Sequence, residues 1–254
     1  MEMRKNKITS GLAVLLLPLI LMGFTKTDFI KDFVSFDQAF IPPLALTNQE
    51  KVKPSKKAMK ILTQNWDAFK AKYYDANPED PEWKENFDEI TRIIDESNKT
   101  VDSGQHLMSA HEALEEIRWI TLKLRKRNHI DYYLDPLTEF HAYMEEISHM
   151  GQDNSPEDIG GAEINTLKET LAEAEKVWAT VKSAEFNPGL YGFNDQKMAK
   201  MKKLLVLESE ALNNLKQALQ SDDKAAILQA ARDIKPNYAQ IYKLFGNFEP
   251  FMGS

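Results

Sequence analysis

From Pro54 to Phe245 the apolar residues recur three and four positions apart, and no stretch of useful length alternates with period two. A three-to-four spacing places apolar side chains on one face of a helix, so the pattern predicts an all-α chain with no sheet. β-branched residues are scattered rather than alternating, which agrees. The first helix is expected after Pro54-Ser55, with Ser55 as cap and Met59, Leu62, Trp66 and Phe69 on one stripe. Asp80-Pro81 opens a second, which runs through Phe87, Ile90 and Ile94, and a third spans about Gly104 to Arg127. Asp135-Pro136 opens a fourth with the same cap chemistry, and Gly151 to Gly161 is polar linker. Helices over Ala162–Glu185, Asp195–Gln220 and Asp223–Phe245 follow, the first two separated by the turn signal Asn187-Pro188-Gly189 and the last stopped by Gly246.

These segments make an up-and-down array of about seven main helices. Pro42-Pro43 is not expected to continue a helix and is expected to mark a joint. The expected organisation is a signal peptide or N-terminal anchor over 1–24, an extended or irregular leader over 25–53, and a first bundle half over 54–150. A linker over 151–161 and a second bundle half over 162–254 complete it. The halves echo one another. Asn65-Trp66-Asp67-Ala68-Phe69-Lys70 is answered by Val177-Trp178-Ala179-Thr180-Val181-Lys182, and Leu114 to Arg118 by Ala231 to Lys235, which suggests a duplicated bundle unit.

Composition narrows the function classes. The chain has 254 residues, 43% hydrophobic and 28% charged, an ordinary globular balance. Its net charge of −7, with both signs interspersed, does not suit a nucleic-acid binder. The one basic run, Lys123, Arg125, Lys126 and Arg127, closes a helix and offsets the dipole there. The absence of cysteine excludes disulfides, thiol catalysis, iron–sulfur clusters and covalent c-type haem. At the N-terminus Arg4, Lys5 and Lys7 precede the apolar run Gly11 to Phe24, the pattern of a secretory signal. The run is short for a membrane span and is interrupted by Pro18. The expected location is therefore periplasmic or extracellular, with contact to a membrane only through an uncleaved N-terminal segment.

The last third carries the lysine-rich amphipathic segment Gln196 to Gln220, the turn Ser221-Asp222-Asp223, and a final helix ending Asn237-Tyr238-Ala239-Gln240-Ile241-Tyr242-Lys243. In layout it resembles the four-helix-bundle cytochromes of bacterial periplasms, the soluble b-type cytochrome and cytochrome c prime. The resemblance implies a four-helix bundle. Those families hold haem through a histidine of the last helix, where this chain has Tyr238 and Tyr242, and no Cys-x-x-Cys-His motif is present.

The candidate chemistry lies in the histidines. All five (His106, His111, His129, His141 and His149) fall in one window. Two segments there share the form Leu-x-x-apolar-His-x-x-apolar-Glu-Glu-Ile, over 107–117 and 137–147. At about 100° per residue, His111 and His141 lie on the flank of the apolar stripe and Glu115 and Glu145 at its margin, with Arg118 inside it. The short connection Asn128 to Leu134 makes these helices antiparallel neighbours, with the two carboxylates at one height and the imidazoles bracketing them.

Two carboxylates and two imidazoles suit zinc, iron, manganese or copper. The first expectation is thus an exported, non-catalytic bundle protein holding a transition metal, with haem as second choice, at His111, Glu115, His141 and Glu145. The alternative is a structural or protein-interaction module of the cell envelope, with the same residues as a buried polar seam, and an oxidoreductase using that metal is a third. The repeated His-x-x-x-Glu element departs from the Glu-x-x-His of ferritin-like proteins, which only Glu146-x-x-His149 matches. Met108, Met144 and Met150 are core fillers before they are soft-metal ligands, and Trp66, Trp83, Trp119 and Trp178 are packing anchors.

Overall fold

The structure, a computed structural model, describes residues 25–251; the expected signal segment 1–24 lies outside the described residues. Among the described residues it is all-α, with no strand and no helix long and apolar enough to cross a membrane. The helices are α1 (Lys26–Asn48), α2 (Val52–Tyr73), α3 (Trp83–Ser103), α4 (Leu107–Arg127), α5 (Leu134–Asp153), α6 (Gly161–Ser183), α7 (Asp195–Ala218), α8 (Lys224–Arg232) and α9 (Ile234–Lys243).

Helices α1 to α4 pack in sequence, with α4 returning to α1, and close a first up-and-down bundle. Helices α5, α6 and α7 form a second, whose fourth place is shared by α8 and α9, the single helix expected over 223–245 being broken at Asp233. α5, grouped by sequence with the first half, packs on α6, α8 and α9 of the second. Gly151, expected as linker, lies at its end. A Cβ there would stand 2.8 Å from the Leu228 carbonyl oxygen, so glycine lets α5 and α8 touch backbone to backbone. The bundles meet where α4 touches α5 and α9 touches α1, and one apolar core runs through both from Phe29 to Phe245. Both units place a tryptophan on their second helix with its indole N–H donating to a hydroxyl of the third. Trp66 Nε1 donates to Thr91 Oγ1 across α2 and α3, and Trp178 Nε1 to Ser209 Oγ across α6 and α7, at 3.0 and 2.9 Å.

The expected irregular leader is instead a buried helix, and Pro42-Pro43 is not a joint: both prolines lie inside α1. A proline at 42 lacks the N–H that would bond the Gln38 carbonyl. That carbonyl accepts the backbone N–H of Asn247 at 2.9 Å, so the chain after α9 supplies the missing donor. The Thr47 hydroxyl donates to the Pro43 carbonyl at 2.8 Å and secures the next turn. Gly246 makes this docking possible, because a Cβ there would lie 2.9 Å from Ile41 Cγ2 and 2.8 Å from Phe248. Gly246→Ala is therefore expected to destabilise the protein by about 1–3 kcal/mol in urea unfolding; an unchanged midpoint would mean that the segment can shift without losing the Asn247 bond.

Two expected caps are also replaced. α2 starts at Val52, so Ser55 is buried inside it with its hydroxyl unpartnered. Asp135 lies within α5 and turns its carboxylate to Arg125. Arg125, expected as a cation offsetting the helix dipole, is buried. Its Nε and Nη2 donate to Asp135 Oδ1 at 2.9 and 2.5 Å, and its guanidinium lies over the rings of Phe33 and Tyr132. Tyr132 in turn donates to Asp37 on α1 at 2.7 Å. Burial pushes the Asp37 carboxyl up to about 6 despite the nearby Arg125. A polar knot thus ties α1, α4 and α5 at one end of the bundle boundary.

Candidate functional site

At the same boundary α1, α4, α5 and α9 face one another, and the four residues expected from sequence line one cavity among them. α4 brings His111, Glu115 and Arg118 at positions i, i+4 and i+7, which one helix face presents together. α5 brings His141 and Glu145 by the same spacing, with Met144 beside them. The cavity, about 60 Å³, has room for a few waters or one ion.

The groups form an alternating series. His111 Nε2 stands 3.4 Å from Glu115 Oε1, and His141 Nε2 lies 3.7 Å from Glu115 Oε2 and 3.2 Å from Glu145 Oε1. His149 Nε2 lies 3.2 Å from Glu145 Oε2 and continues the series to solvent. The imidazoles therefore do not bracket the carboxylate pair as expected, because His141 sits between the two carboxylates. α4 and α5 belong to different bundles and touch over a short stretch, so the in-register hairpin that would align Glu115 with Glu145 does not form. Nor does Glu146 join His149: its carboxylate accepts from Thr170 at 2.8 Å.

Sequence reasoning placed Arg118 on the apolar stripe but did not supply Lys235 or the tyrosines that complete the site. Arg118 Nη2 donates to Glu115 Oε1 at 2.5 Å, and Nη1 donates to the Tyr238 hydroxyl at 3.2 Å. The guanidinium lies 4.7 Å over the Tyr242 ring, and Nη2 is 3.4 Å from His141 Nε2. On α9, Lys235 Nζ stands 2.9 and 3.0 Å from the two oxygens of Glu145. A lysine among the inward residues Ile234, Tyr238 and Ile241 was the signal for it, as was its match to Arg118 in the internal echo.

Protonation follows from burial and neighbours. Burial disfavours the charged imidazole, so the pKa of His141 lies below its ordinary value, and Arg118 pushes the same way. His111 is lowered by burial too. Its Nδ1 lies 3.0 Å from the Leu44 carbonyl, which can only accept, so that nitrogen is assigned the proton and Nε2 faces Glu115. Burial raises a carboxyl, but around Glu115 the charge of Arg118, followed by the two imidazoles, outweighs it and lowers the pKa. Around Glu145 burial is likewise outweighed, by the hydrogen bonds from His141 and Lys235, which bring it down to about 2. At neutral pH His111 and His141 are then neutral, and each carboxylate faces one cation, Glu115 that of Arg118 and Glu145 that of Lys235.

This bears on the metal expectation. His111, Glu115, His141 and Glu145 do converge, yet each carboxylate already holds a protein cation. Among the described residues, no three His, Asp or Glu side chains stand as a ready metal site. No family model matches this chain, and comparison with curated proteins and with solved structures gives no match.

Proposed function

We propose that this chain is an exported, non-catalytic helical-bundle protein, a structural or protein-interaction module of the cell envelope, in which the His/Glu cluster locks two bundles together. The observation that carries the reading is Arg118. Only 6% exposed, it reaches from α4 of the first bundle to His141, Tyr238 and Tyr242 of the second, while Glu115 beside it cancels its charge. A buried cation persists only where such partners replace water. The groups that would act on a substrate are paired with one another. Such a lock needs no metal. Protein stripped with chelator is therefore expected to keep the thermal midpoint of untreated protein, and a clear fall on stripping would instead make a metal part of the fold.

Export is supported by the basic residues Arg4, Lys5 and Lys7 ahead of the apolar run to Phe24. Intact-mass measurement on protein from its native host is expected to show a chain that begins well after Met1. A full-length chain in the cytoplasm would contradict export, and one in the membrane fraction would indicate a retained anchor.

A further inference from the structure

The surface of the second bundle carries a groove between α6 and α7, with Lys182, Lys202, Leu205, Val206, Ser209 and Glu210 in its lining. Val206 is 56% exposed, the most of any large apolar side chain among the described residues. Lys200 and Lys203 stand near it on the exposed side of α7. Among the described residues none of Lys182, Lys200, Lys202 and Lys203 has an ion pair, whereas Lys176 and Lys216 on the same two helices pair with Glu173 and Glu175. In a chain of net charge −7 this is a local basic surface around an apolar spot. What complements it is an apolar side chain followed by carboxylates. The chain carries such a surface itself. On α4, Met108 is 39% exposed, and Glu112 and Glu116 follow it at i+4 and i+8 on the exposed side. Neither carboxylate has an ion pair among the described residues. The spacings agree: Glu112 and Glu116 lie about 6 and 12 Å beyond Met108 along α4, and Lys203, Lys202 and Lys200 lie about 4.5, 6 and 9 Å before Val206 along α7.

We infer that the groove receives α4 of a second copy of this chain, antiparallel to α7, with Met108 on Leu205 and Val206, Glu112 at Lys202 and Lys203, and Glu116 at Lys200. Methionine is unbranched and adaptable, which suits an irregular groove. Glu210, on the other side of Val206, then falls opposite Gly104 to His106, past the end of the acidic stripe. α4 and α7 belong to different bundles, so each copy offers its groove to one neighbour and its stripe to another, and copies join head to tail. This rests on the reading of the chain as an interaction module and gives that module its partner. It does not depend on the lock, whose residues take no part in the contact.

The test is sedimentation equilibrium on the chain as its host processes it. The samples are wild type, Lys202→Glu/Lys203→Glu, Glu112→Lys/Glu116→Lys and an equal mixture of the two variants. All four positions are exposed, and circular dichroism checks that the fold is kept. The wild-type mass should rise above one chain with concentration and fall back as salt is raised from about 0.05 to 0.5 M. Either variant alone sets like charges face to face and should associate roughly tenfold more weakly or worse. In the mixture every contact again joins opposite charges, so association should return. A wild type that stays monomeric up to millimolar concentration, association indifferent to either reversal, or a mixture no better than its parts would each overturn the inference. A monomeric wild type that binds phosphatidylglycerol vesicles, and loses them in Lys202→Glu/Lys203→Glu, would also overturn it and give the groove to an anionic lipid surface. The lock is read separately, from unfolding, and stands or falls without regard to these outcomes.

Discussion

Glu208→Gln is expected to make the protein more stable at neutral pH, not less. Glu208, on α7 in the core of the second bundle, is 0% exposed, and neither carboxyl oxygen has a partner at hydrogen-bonding geometry. Burial raises its pKa from 4.5 to about 8, and the neighbouring Asn237 side chain and Tyr238 backbone offset only part of that. The folded protein therefore keeps Glu208 protonated at pH 7, whereas the unfolded chain ionises it. A folded pKa above the unfolded one gives stability that is whole below 4.5 and lost as pH rises through 8. At about 1.4 kcal/mol per pH unit, the loss by pH 7 is on the order of 3 kcal/mol, which glutamine would restore. Urea unfolding of both proteins from pH 4 to 9 should give curves that meet at the acid end and separate with rising pH. Asp37 and the buried histidines titrate in both proteins and cancel in the difference. Parallel curves, or a variant weaker than wild type at pH 7, would show that the ionised carboxylate is accommodated.

The helices were legible because their apolar period is local. Met59, Leu62, Trp66 and Phe69 announce α2, which starts a few residues before the expected Pro54-Ser55, and Asp195 to Gln220 announces α7 to within a few residues at each end. α1 was hidden by Pro42-Pro43, and the bond that Pro42 cannot give the Gln38 carbonyl comes from Asn247, about two hundred residues on. No local rule reads so distant a donor. The caps failed for a related reason: Asp135 looked like a helix start by its neighbour Pro136, yet a buried arginine at 125 claims its carboxylate.

The candidate site was legible in part. The two matched segments brought His111, Glu115, His141 and Glu145 to one cavity, as their shared helix face implied. Their order along it was not legible, because it depends on how two bundles cross rather than on either helix. The cations mattered most. Arg118 was visible on the apolar stripe, but its partners Tyr238 and Tyr242 come from the last helix, more than a hundred residues away. Without them a set of histidines and carboxylates reads as ligands waiting for a metal; with Arg118 and Lys235 in place, each carboxylate already faces a cation.

The lock is tested most directly by a double-mutant cycle on Glu115 and Arg118, in chelator, by urea unfolding at pH 7. Arg118→Met strands a largely buried carboxylate, and Glu115→Gln strands a guanidinium that is 6% exposed. Stranding one member of a buried pair costs about 3–5 kcal/mol, whereas removing both leaves no charge unpaired. Each single variant should therefore lose several kcal/mol, and the double variant should lose at least about 1 kcal/mol less than the sum. Single variants near wild-type stability, or losses that simply add, would contradict the account and show that the Glu115–Arg118 pair does not hold the bundles together.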